Sequence, residues 1–388
     1  MNTMLSYQDV QELTAIVEHF DIERRGEIDL IKPFGTGRIN NTYMITCRDG
    51  ERRNEYLLQS INTFVFAEPE RLMQNLVAVT EHIRTNGGHS LEFISTISHN
   101  GSDKSYVYTG QDGRVWRMYN YVEADVYPFI TRPHHAYMLG EAIADFSKSL
   151  QTFDASTLVE TIPDFHNTPK RLNDFLLVIV KDVIYGGLRT ASDEVKRQIS
   201  FVISKQDKLG VLMDNLRAGT IPIRVTHNDP KIDNVLFDKK RNTPICMIDL
   251  DTIMPGTGLF DVGDALRSIG NTASEDEKNE SKVDFSLTIF ENFVRGYLKG
   301  MNGLLTDKEI ELIPYSVWVI AMELGIRFLA DHIDNNRYFK TQYDWQNLER
   351  SRIQFKLAEV VEEKIESGVL SGIVQRIVDE MQRSKNVT

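Results

Sequence analysis

The pattern of apolar residues changes once along this chain, and that change constrains the fold more than any other feature of the sequence. Between Ile28 and Ile61, short alternating pieces such as TYMITC and EYLLQSI are separated by GTG and CRDGERRN, which is typical of strands joined by hairpins. Beyond Glu123, apolar residues recur at intervals of three and four, as they do in amphipathic helices. We therefore predict a small sheet region followed by a larger helical region.

Strands dominate the first predicted region, and helices dominate the second. The first region also contains one helix near its start, another opened by a Glu-Pro pair, and the later strands SYVYTG and RVWRMYNYV. In the second region, helices are predicted over residues 135–152, 171–184, 192–216, 282–299, 307–333 and 346–383. One strand-like interruption lies between residues 222 and 250. Because 388 residues exceed what one core usually holds, we predict an α+β chain with domains 1–122 and 123–388.

Composition and charge limit the classes of partner. The chain has 44 basic and 56 acidic residues, a net charge of −12. This argues against nucleic acid or an anionic membrane as a partner, because both require a basic face. The two cysteines, Cys47 and Cys246, lie in apolar runs, so neither a disulfide framework nor a zinc site is expected.

The sequence contains no recognisable targeting or membrane segment. Its first 20 residues lack the basic start and the continuous apolar core of a signal peptide. The longest uncharged apolar run, Leu312 to Met322, is far shorter than the roughly 20 residues that a membrane span needs. We expect a cytoplasmic monomer.

A dense group of polar residues lies inside the strand-like interruption, in the stretch THNDPKIDNVLFD at residues 226–238. Asp229 is followed five residues later by Asn234, and a second predicted strand, ICMIDLD, carries Asp249 and Asp251 on one face. Because a tight turn brings the open ends of two strands together, Asn234 is expected to lie near Asp249. The simpler alternative is a polar turn in which Asp and Asn side chains bond the backbone.

The types and spacing of these residues suit phosphoryl transfer. Mg²⁺ prefers oxygen ligands and keeps water and phosphate oxygens in its shell, so Asn234 and Asp249 are enough protein ligands for it. Asp229 is then available to orient an attacking hydroxyl and to accept its proton. We therefore favour a catalytic loop over the polar turn.

The same residues carry a family resemblance. The sequence HNDPKIDN, followed by IDLD at residues 248–251, resembles the signature of the aminoglycoside phosphotransferase and choline kinase superfamily. The resemblance implies the two-lobed protein-kinase-like fold, with a small antiparallel-sheet lobe and a larger helical lobe, and it implies ATP and Mg²⁺ as cofactors. It also implies that Asp229 is the catalytic base and that Asn234 and Asp249 bind the magnesium ion. His227 and Asp261 would be structural, with Asp261 capping a helix and bracing the loop.

Phosphate binding is predicted in the stretch FGTGRIN at residues 34–40. Gly35 and Gly37 form either a hairpin turn or a loop whose amides cover the phosphates of ATP. Kinase-like folds usually carry Lys or Arg on the third strand, and Gln59 stands there in this chain. Either Gln59 binds the phosphates with the help of the metal, or Arg38 substitutes for the missing cation.

A hinge between the two predicted lobes is expected in the stretch MYNYVEA. There the backbone near Tyr121 and Val122 would offer hydrogen bonds to the purine of the nucleotide, although a buried edge strand explains the same stretch.

Longer stretches narrow the resemblance to the bacterial N-acetylhexosamine 1-kinases: INNTYMI, RVTHNDPKIDNVL, IDLDTIMPG, LFDVGDALR and RFLADHI. This branch implies that the anomeric hydroxyl of N-acetylglucosamine or N-acetylgalactosamine is the acceptor. It also implies that Arg327 and Tyr338, together with Asp229, contact the sugar. From the residues alone, an i,i+4 ion pair with Glu323 explains Arg327 without any ligand.

Two alternatives to the sugar kinase remain open. The same catalytic residues serve acceptors such as choline, homoserine, methylthioribose and aminoglycosides. A pseudokinase, which keeps the fold as a binding module, is the alternative from another class, and Gln59 in place of the usual cation is the argument for it. Intact Asp229, Asn234 and Asp249 argue for an enzyme.

Overall fold

The computed structural model describes residues 5–22, 26–35, 39–90, 93–95, 104–130 and 132–387. The chain forms two compact units. The sheet unit comprises Met1–Asp125, Thr152–Ile162 and Leu250–Met254. The helical unit comprises Val126–Gln151, Pro163–Asp249 and Pro255–Thr388. The predicted order of a sheet region before a helical region is confirmed.

The sheet unit is built on antiparallel strands. Its elements are α1 (Tyr7–Val17), β1 (Glu27–Pro33), β2 (Asn41–Asp49), β3 (Arg52–Ile61), α2 (Pro69–Thr85), β4 (Phe93–Ile94), β5 (Tyr108–Thr109) and β6 (Val115–Asn120). The strands lie in the order β1-β2-β3-β6-β4, and β5 also pairs with β6. Gly50 begins the two-residue turn between β2 and β3 with a φ of +60°, which favours glycine.

A single apolar cluster joins α1 to the sheet. Leu13, Ile16 and Val17 of α1 pack with alternate residues of the strands, among them Ile45 and Leu58. These side chains are almost completely buried. Because successive strand residues point to opposite faces, this alternation places the polar residues of β2 and β3 on the other face.

The helical unit is formed mainly by long helices, and a short strand region lies among them. Its elements are α3 (Pro133–Ser149), α4 (Thr168–Ile184), α5 (Asp193–Lys205), α6 (Val211–Arg217), β7 (Arg224–Thr226), β8 (Val235–Phe237), β9 (Pro244–Met247), β10 (Met254–Gly256), α7 (Gly258–Gly270), α8 (Leu287–Met301), α9 (Asp307–Ile333), α10 (Gln346–Glu366) and α11 (Val369–Val387). α3 packs on α8, and α9 packs on α4, α7 and α10. The approach of α7 to α9 is close: a Cβ on Gly263 would lie 2.5 Å from the carbonyl oxygen of Ser316.

α9 is the core helix of this unit. By length and composition it could cross a membrane, but 83% of its most apolar window is buried inside the protein. Its first turn also anchors β7, because Arg224 donates to both carboxylate oxygens of Glu309 at 2.9 and 3.0 Å. This ion pair fixes the strand that leads into the polar stretch at residues 226–238.

Two long helices predicted from periodicity are broken. The predicted helix over 346–383 is α10 and α11, which are separated at Gly368, where φ is +75°. The predicted helix over 192–216 is α5 and α6 with a short 3₁₀ turn between them. Apolar periodicity continues across both breaks, so it does not detect the local change in backbone conformation.

Candidate active site

The loop between β7 and β8 is held by a buried carboxylate. Asp261, in the first turn of α7, accepts hydrogen bonds from the backbone N–H groups of His227 at 3.0 Å and Asn228 at 2.7 Å. Burial raises the pKa of Asp261 to about 7, although these two bonds oppose the shift. The expected bracing of the loop is therefore found. The cap of α7, however, is Thr257 and not Asp261 as predicted.

His227 ties this loop to the end of β9. It is fully buried, its Nδ1 accepts from the N–H of Asp229 at 3.3 Å, and its Nε2 lies 2.9 Å from the carbonyl oxygen of Ile248. These partners require a neutral ring that carries its proton on Nε2. Burial lowers the pKa of His227 to about 4, which keeps the ring neutral.

The peptide of Ile248 has a second anchor, because its N–H donates to the carbonyl oxygen of Asn234 at 2.9 Å. Both polar groups of the Ile248 peptide thus hold the segment that carries Asp249.

Asp229, Asn234 and Asp249 come together around this connection. The β8–β9 hairpin pairs Val235 with Met247, so the residues flanking it meet as predicted. Nδ2 of Asn234 donates to the backbone oxygen of Asp229 at 2.8 Å and lies 3.3 Å from its Oδ2. The arrangement places the candidate base and the first candidate ligand in direct contact.

The chain turns sharply after β9. Asp249 has a φ of +60°, in the left-handed region that Asp, Asn and Gly adopt more readily than other residues. Our prediction that Asp249 and Asp251 share one face of a continuing strand is wrong, because β9 ends at Met247 and Leu250–Thr252 form a 3₁₀ turn. The two carboxylates therefore have different surroundings.

The oxygen donors fit a magnesium ion that shares its shell with phosphate. They are Oδ1 of Asn234, which forms no hydrogen bond within the described residues, and the carboxylate of Asp249. In the part of the chain that the structure describes, no group of three or more His, Cys, Asp or Glu side chains could hold a metal ion. Two protein ligands leave most of an octahedral shell to water and phosphate oxygens, as is usual for Mg²⁺ at phosphoryl-transfer sites.

Asp229 lies in an unusual electrostatic environment. Burial raises its pKa, and the negative charges of Asp264 and Asp249 raise it further. The ammonium of Lys231, whose Nζ lies 3.1 Å from Oδ2 of Asp229, acts in the opposite direction. Although burial would lower the pKa of Lys231, the carboxylates of Asp229 and Asp233 raise it. A carboxylate with a raised pKa is a suitable proton acceptor at neutral pH.

Sequence reasoning missed two members of this group, Lys231 and Asp264. Asp264 is buried on α7 and accepts from Nε and a terminal nitrogen of Arg267 at 3.0 and 2.8 Å. The signals were present: Lys231 follows Asp229 by two residues, and Asp264 and Arg267 have the i,i+3 spacing of a helical ion pair. Neither signal shows by itself that the residue faces Asp229.

Arg327 and Tyr338 lie in a second cluster of the helical unit. The guanidinium carbon of Arg327 lies 4.9 Å from the ring centroid of Phe165, 5.8 Å from that of Tyr338 and 5.6 Å from that of Phe339. Asp331 fixes the segment that contains Tyr338 and Phe339. Its carboxylate accepts hydrogen bonds from the backbone N–H groups of these two residues at 2.7 and 2.9 Å. The structure thus brings together the two residues that the resemblance assigned to the sugar.

No direct salt bridge joins Arg327 to Glu323 among the described residues, although burial of Glu323 is opposed by the charges of His166 and Arg327, which lower its pKa. The carboxylate of Glu323 instead accepts from Oγ1 of Thr168 at 2.7 Å and lies 2.8 Å from Nδ1 of His166. The Nε2 of His166 lies 3.3 Å from the backbone oxygen of Asn228. His166 therefore links the cluster to the loop that carries Asp229.

Gln59 is engaged inside the sheet unit. Its Oε1 accepts from Nε of Arg117 at 2.8 Å, and its Nε2 donates to Oγ1 of Thr42 at 2.9 Å. Arg117, its partner on β6, is buried and forms an ion pair with Asp251 at 2.5 Å. Asn40 donates to the same carboxylate at 2.7 Å. A cation is thus present beside Gln59, on a different strand from the one predicted.

The remaining predicted nucleotide contacts also lie in the sheet unit. Gly35 has a φ of +75°, while Gly37 and Arg38 lie outside the described residues. The N–H of Tyr121 donates to the carbonyl oxygen of Glu55 at 3.0 Å, so that group is not available to a purine. Neither backbone polar group of Val122 is hydrogen-bonded to another described residue.

Several solved structures have the same fold over most of this chain. The microcompartment-associated aminopropanol kinase matches with a TM-score of 0.59 at 15% identity, covering 93% of this chain and 99% of its own. The choline kinase of Cryptosporidium parvum Iowa II matches with a TM-score of 0.59 at 13% identity, covering 93% and 98%. The GDP complex of aminoglycoside 2'-phosphotransferase-IIIa matches with a TM-score of 0.55 at 12% identity, covering 89% and 98%.

The sequence also matches a family model. The phosphotransferase enzyme family model covers residues 30–282, which include the stretch from Gly35 to Asp264 described above. The kinase-like fold and this match agree with the chemistry of the loop at residues 226–238. The chain belongs to the phosphotransferase enzyme family (APH).

Proposed function

We propose that this phosphotransferase is an ATP-dependent kinase that phosphorylates the anomeric hydroxyl of an N-acetylhexosamine, either N-acetylglucosamine or N-acetylgalactosamine. The observation that carries the kinase chemistry is the pinning of the Ile248 peptide by His227 and Asn234. This connection holds a candidate base and two candidate magnesium ligands in one rigid group. Such preorganisation is the main contribution that a phosphoryl-transfer enzyme makes.

In the proposed mechanism, Asp229 orients the acceptor hydroxyl and accepts its proton as the hydroxyl oxygen attacks the γ-phosphorus of ATP. The bond from that phosphorus to the β,γ-bridging oxygen breaks, and ADP leaves. Asn234 supports Asp229 through the 2.8 Å hydrogen bond to its backbone oxygen. An anomeric hydroxyl is more acidic than an ordinary alcohol, so alignment of the attacking oxygen is the larger task of Asp229.

Two cations would neutralise the phosphates: a magnesium ion and the ammonium of Lys231. Asn234 and Asp249 would hold a magnesium ion, which when bound draws negative charge from the β- and γ-phosphates. Lys231, with 38% of its side chain exposed, combines an ion pair to Asp229 with access to solvent. We infer that its ammonium lies near the transferred phosphoryl group and stabilises its charge.

Nucleotide binding rests on two lines of support. A solved relative of this fold is a GDP complex. The backbone groups of Val122, which form no hydrogen bond to another described residue, match those that a purine uses at a kinase hinge. We propose that Val122 contacts the base, and that Gly35 and the stretch that follows it cover the phosphates of ATP.

The sugar assignment rests on the cluster around Arg327. Its guanidinium has five donors and no hydrogen bond to any described residue, while three aromatic rings surround it. A second guanidinium is close by: burial lowers the pKa of Arg171, and so does the charge of Arg327. Two guanidinium groups disfavour a cationic acceptor such as choline or an aminoglycoside, although the carboxylate of Glu323 offsets part of their charge. They suit the hydroxyl and carbonyl oxygens of a neutral N-acetylated sugar.

The proposal is tested by ATP consumption with Mg²⁺ on a panel of acceptors, with ³¹P NMR of the product. The panel holds N-acetylglucosamine, N-acetylgalactosamine, glucose, galactose, choline and homoserine. An anomeric phosphate signal from the N-acetylated sugars alone is expected. Turnover on choline or homoserine would keep the kinase and reject the sugar, whereas ATP binding with no turnover would favour the pseudokinase.

Replacing Arg327 with alanine should raise the KM for the sugar by about 10- to 100-fold, because charge-assisted hydrogen bonds contribute roughly 1.5–3 kcal/mol each. The KM for ATP should not change. Arg337→Ala, which removes a largely exposed arginine beyond the end of α9, is the matched control. Equal KM values for the sugar in the two variants would remove Arg327 from the acceptor site.

The pH dependence of kcat/KM should report the raised pKa of Asp229. The base must be ionised, so activity is expected to fall as the pH drops through that pKa and to be retained above it. In Lys231→Met, the fall of kcat/KM at low pH should move to higher pH by about one unit, because the ammonium no longer stabilises the ionised form of Asp229. Lys231→Arg, which keeps the charge, is the control. If kcat/KM fell at the same pH in the wild type and in both variants, the assignment of Asp229 as the base would be wrong.

A further inference from the structure

Helix α4 leaves most of its apolar residues exposed or only half-buried. Of its 17 residues, only Thr168 and Phe175 are buried, although the segment FLLVIV at residues 175–180 is entirely apolar. Its exposed large residues and those of the following loop form one patch, which we call the α4 patch: Leu177, Val180, Val183, Ile184, Tyr185 and Leu188. Their exposure ranges from 54% at Val180 to 86% at Leu188.

The α4 patch groups several large apolar side chains that are each more than half exposed. Single exposed apolar residues are common, but contiguous patches beyond a few hundred Å² mark interaction sites. Six large side chains, each more than half exposed, present several hundred Å² of apolar surface. With a polar rim, this approaches the roughly 800 Å² per partner of a standard protein interface.

The spacing within the patch fits another helix. Leu177, Val180 and Ile184 are separated by three and four residues, the spacing of the seam along which two helices pack. α4 contacts α9 within its own unit, and the seam remains exposed. A helix presented by a partner would insert its side chains between these three residues.

The charges beside the seam favour a second copy of this chain over a membrane. Asp174 and Lys181 are seven residues apart, so they lie on the same edge of α4. An antiparallel two-fold pairing centred between Leu177 and Val178 places Asp174 of each copy opposite Lys181 of the other. Both charges now pair with residues of their own chain, Lys170 and Asp334, in exposed ion pairs that contribute little.

A membrane surface fits the patch less well. Helices that lie on membranes usually carry a basic polar face that is attracted to anionic lipids. Here the patch is flanked by both signs of charge, and the net charge of the chain is −12.

We propose that the α4 patch is the interface of a symmetric homodimer in which α4 packs antiparallel against α4 of the second copy. A two-fold axis buries the same patch on both copies and leaves no uncovered face. The inference differs from the monomer expected from the sequence, and it does not depend on the proposed activity.

Sedimentation velocity of the full chain across micromolar concentrations tests the proposal. The wild type should sediment with twice the mass of the chain. In the double variant Leu177→Glu/Ile184→Glu, the dimer dissociation constant should rise by about 100-fold or more, because four carboxylates would be buried in one interface. Phe64→Glu alters an equally exposed apolar residue outside the patch and should leave the dimer intact.

Two further measurements keep the test decisive. Leu177→Ser/Ile184→Ser removes the apolar groups without adding charge, and circular dichroism establishes that each variant is folded. Val180→Cys in a Cys246→Ser background should give a covalent dimer with a short bismaleimide, whereas Phe64→Cys should not.

A monomeric wild type, or a dimer that both patch variants leave unchanged, would overturn the proposal. So would a monomer that binds phosphatidylcholine vesicles through the patch, because that result would assign α4 to a membrane surface.

Discussion

Replacing Asp229 with asparagine should lower kcat by about 10³-fold, within the range of general-base contributions. The substitution keeps the size of the side chain and its capacity to accept from Asn234, but it removes the group that takes the proton and pairs with Lys231. Steady-state turnover on the acceptor identified by the panel measures this loss. The affinity for ATP, measured separately by a fluorescent analogue, should change by less than a few fold.

The neighbouring acid supplies the control for this variant. Asp233 lies in the same loop and is exposed, so Asp233→Asn removes one negative charge without touching the proposed base. Its kcat should stay within a few fold of the wild-type value. Full turnover in Asp229→Asn, or equal losses in both variants, would show that Asp229 is not the base.

Replacing Arg117 with methionine should destabilise the sheet unit by about 3–5 kcal/mol, the usual effect of removing one partner from a buried ion pair. Both side chains of the Arg117–Asp251 pair are only 4% exposed. In this variant the Asp251 carboxylate stays buried, and Asn40 is its remaining side-chain donor among the described residues. The variant also removes the cation beside Gln59. Urea unfolding followed by circular dichroism measures the change.

The double variant Arg117→Met/Asp251→Leu separates loss of a contact from burial of an unpaired charge. Replacing a buried pair by apolar residues of similar size is often close to neutral, so most of the lost stability should return. Arg114→Met, which removes a half-exposed arginine near the same strand, should change stability by less than about 1 kcal/mol. Failure of the double variant to recover would mean that Arg117 acts through packing and not through its charge.

The geometry of the candidate catalytic loop at residues 226–238 could be predicted from the sequence because it is local. Asp229 and Asn234 are five residues apart, and a short hairpin returns the chain to Asp249, so few conformations satisfy the pattern. The strand alternation around Asp249 misled the prediction, since β9 ends at Met247 and the left-handed turn follows. Periodicity describes which side chains share a face only while the backbone stays regular.

The helical boundaries show the same limit. Apolar spacing predicted α9 at its observed bounds, because α9 is a continuous core helix. It did not detect the break at Gly368, although glycine after a helix is a recognised stop signal. A periodic pattern that resumes in phase after a short break cannot be distinguished from one long helix by its spacing.

By itself, the sequence determined the two-region order, the polar loop with its hairpin, and the family. Only the tertiary structure decided which charged groups pair. Arg117 meets Asp251 across 134 residues and His166 meets Glu323 across 157, so the carboxylate one turn before Arg327 is hydrogen-bonded by groups from elsewhere in the chain. The reason is physical: burial makes an unpaired charge costly, so packing selects partners by proximity in space. Spacing along the chain reports only those partners that a single helix or hairpin can bring together.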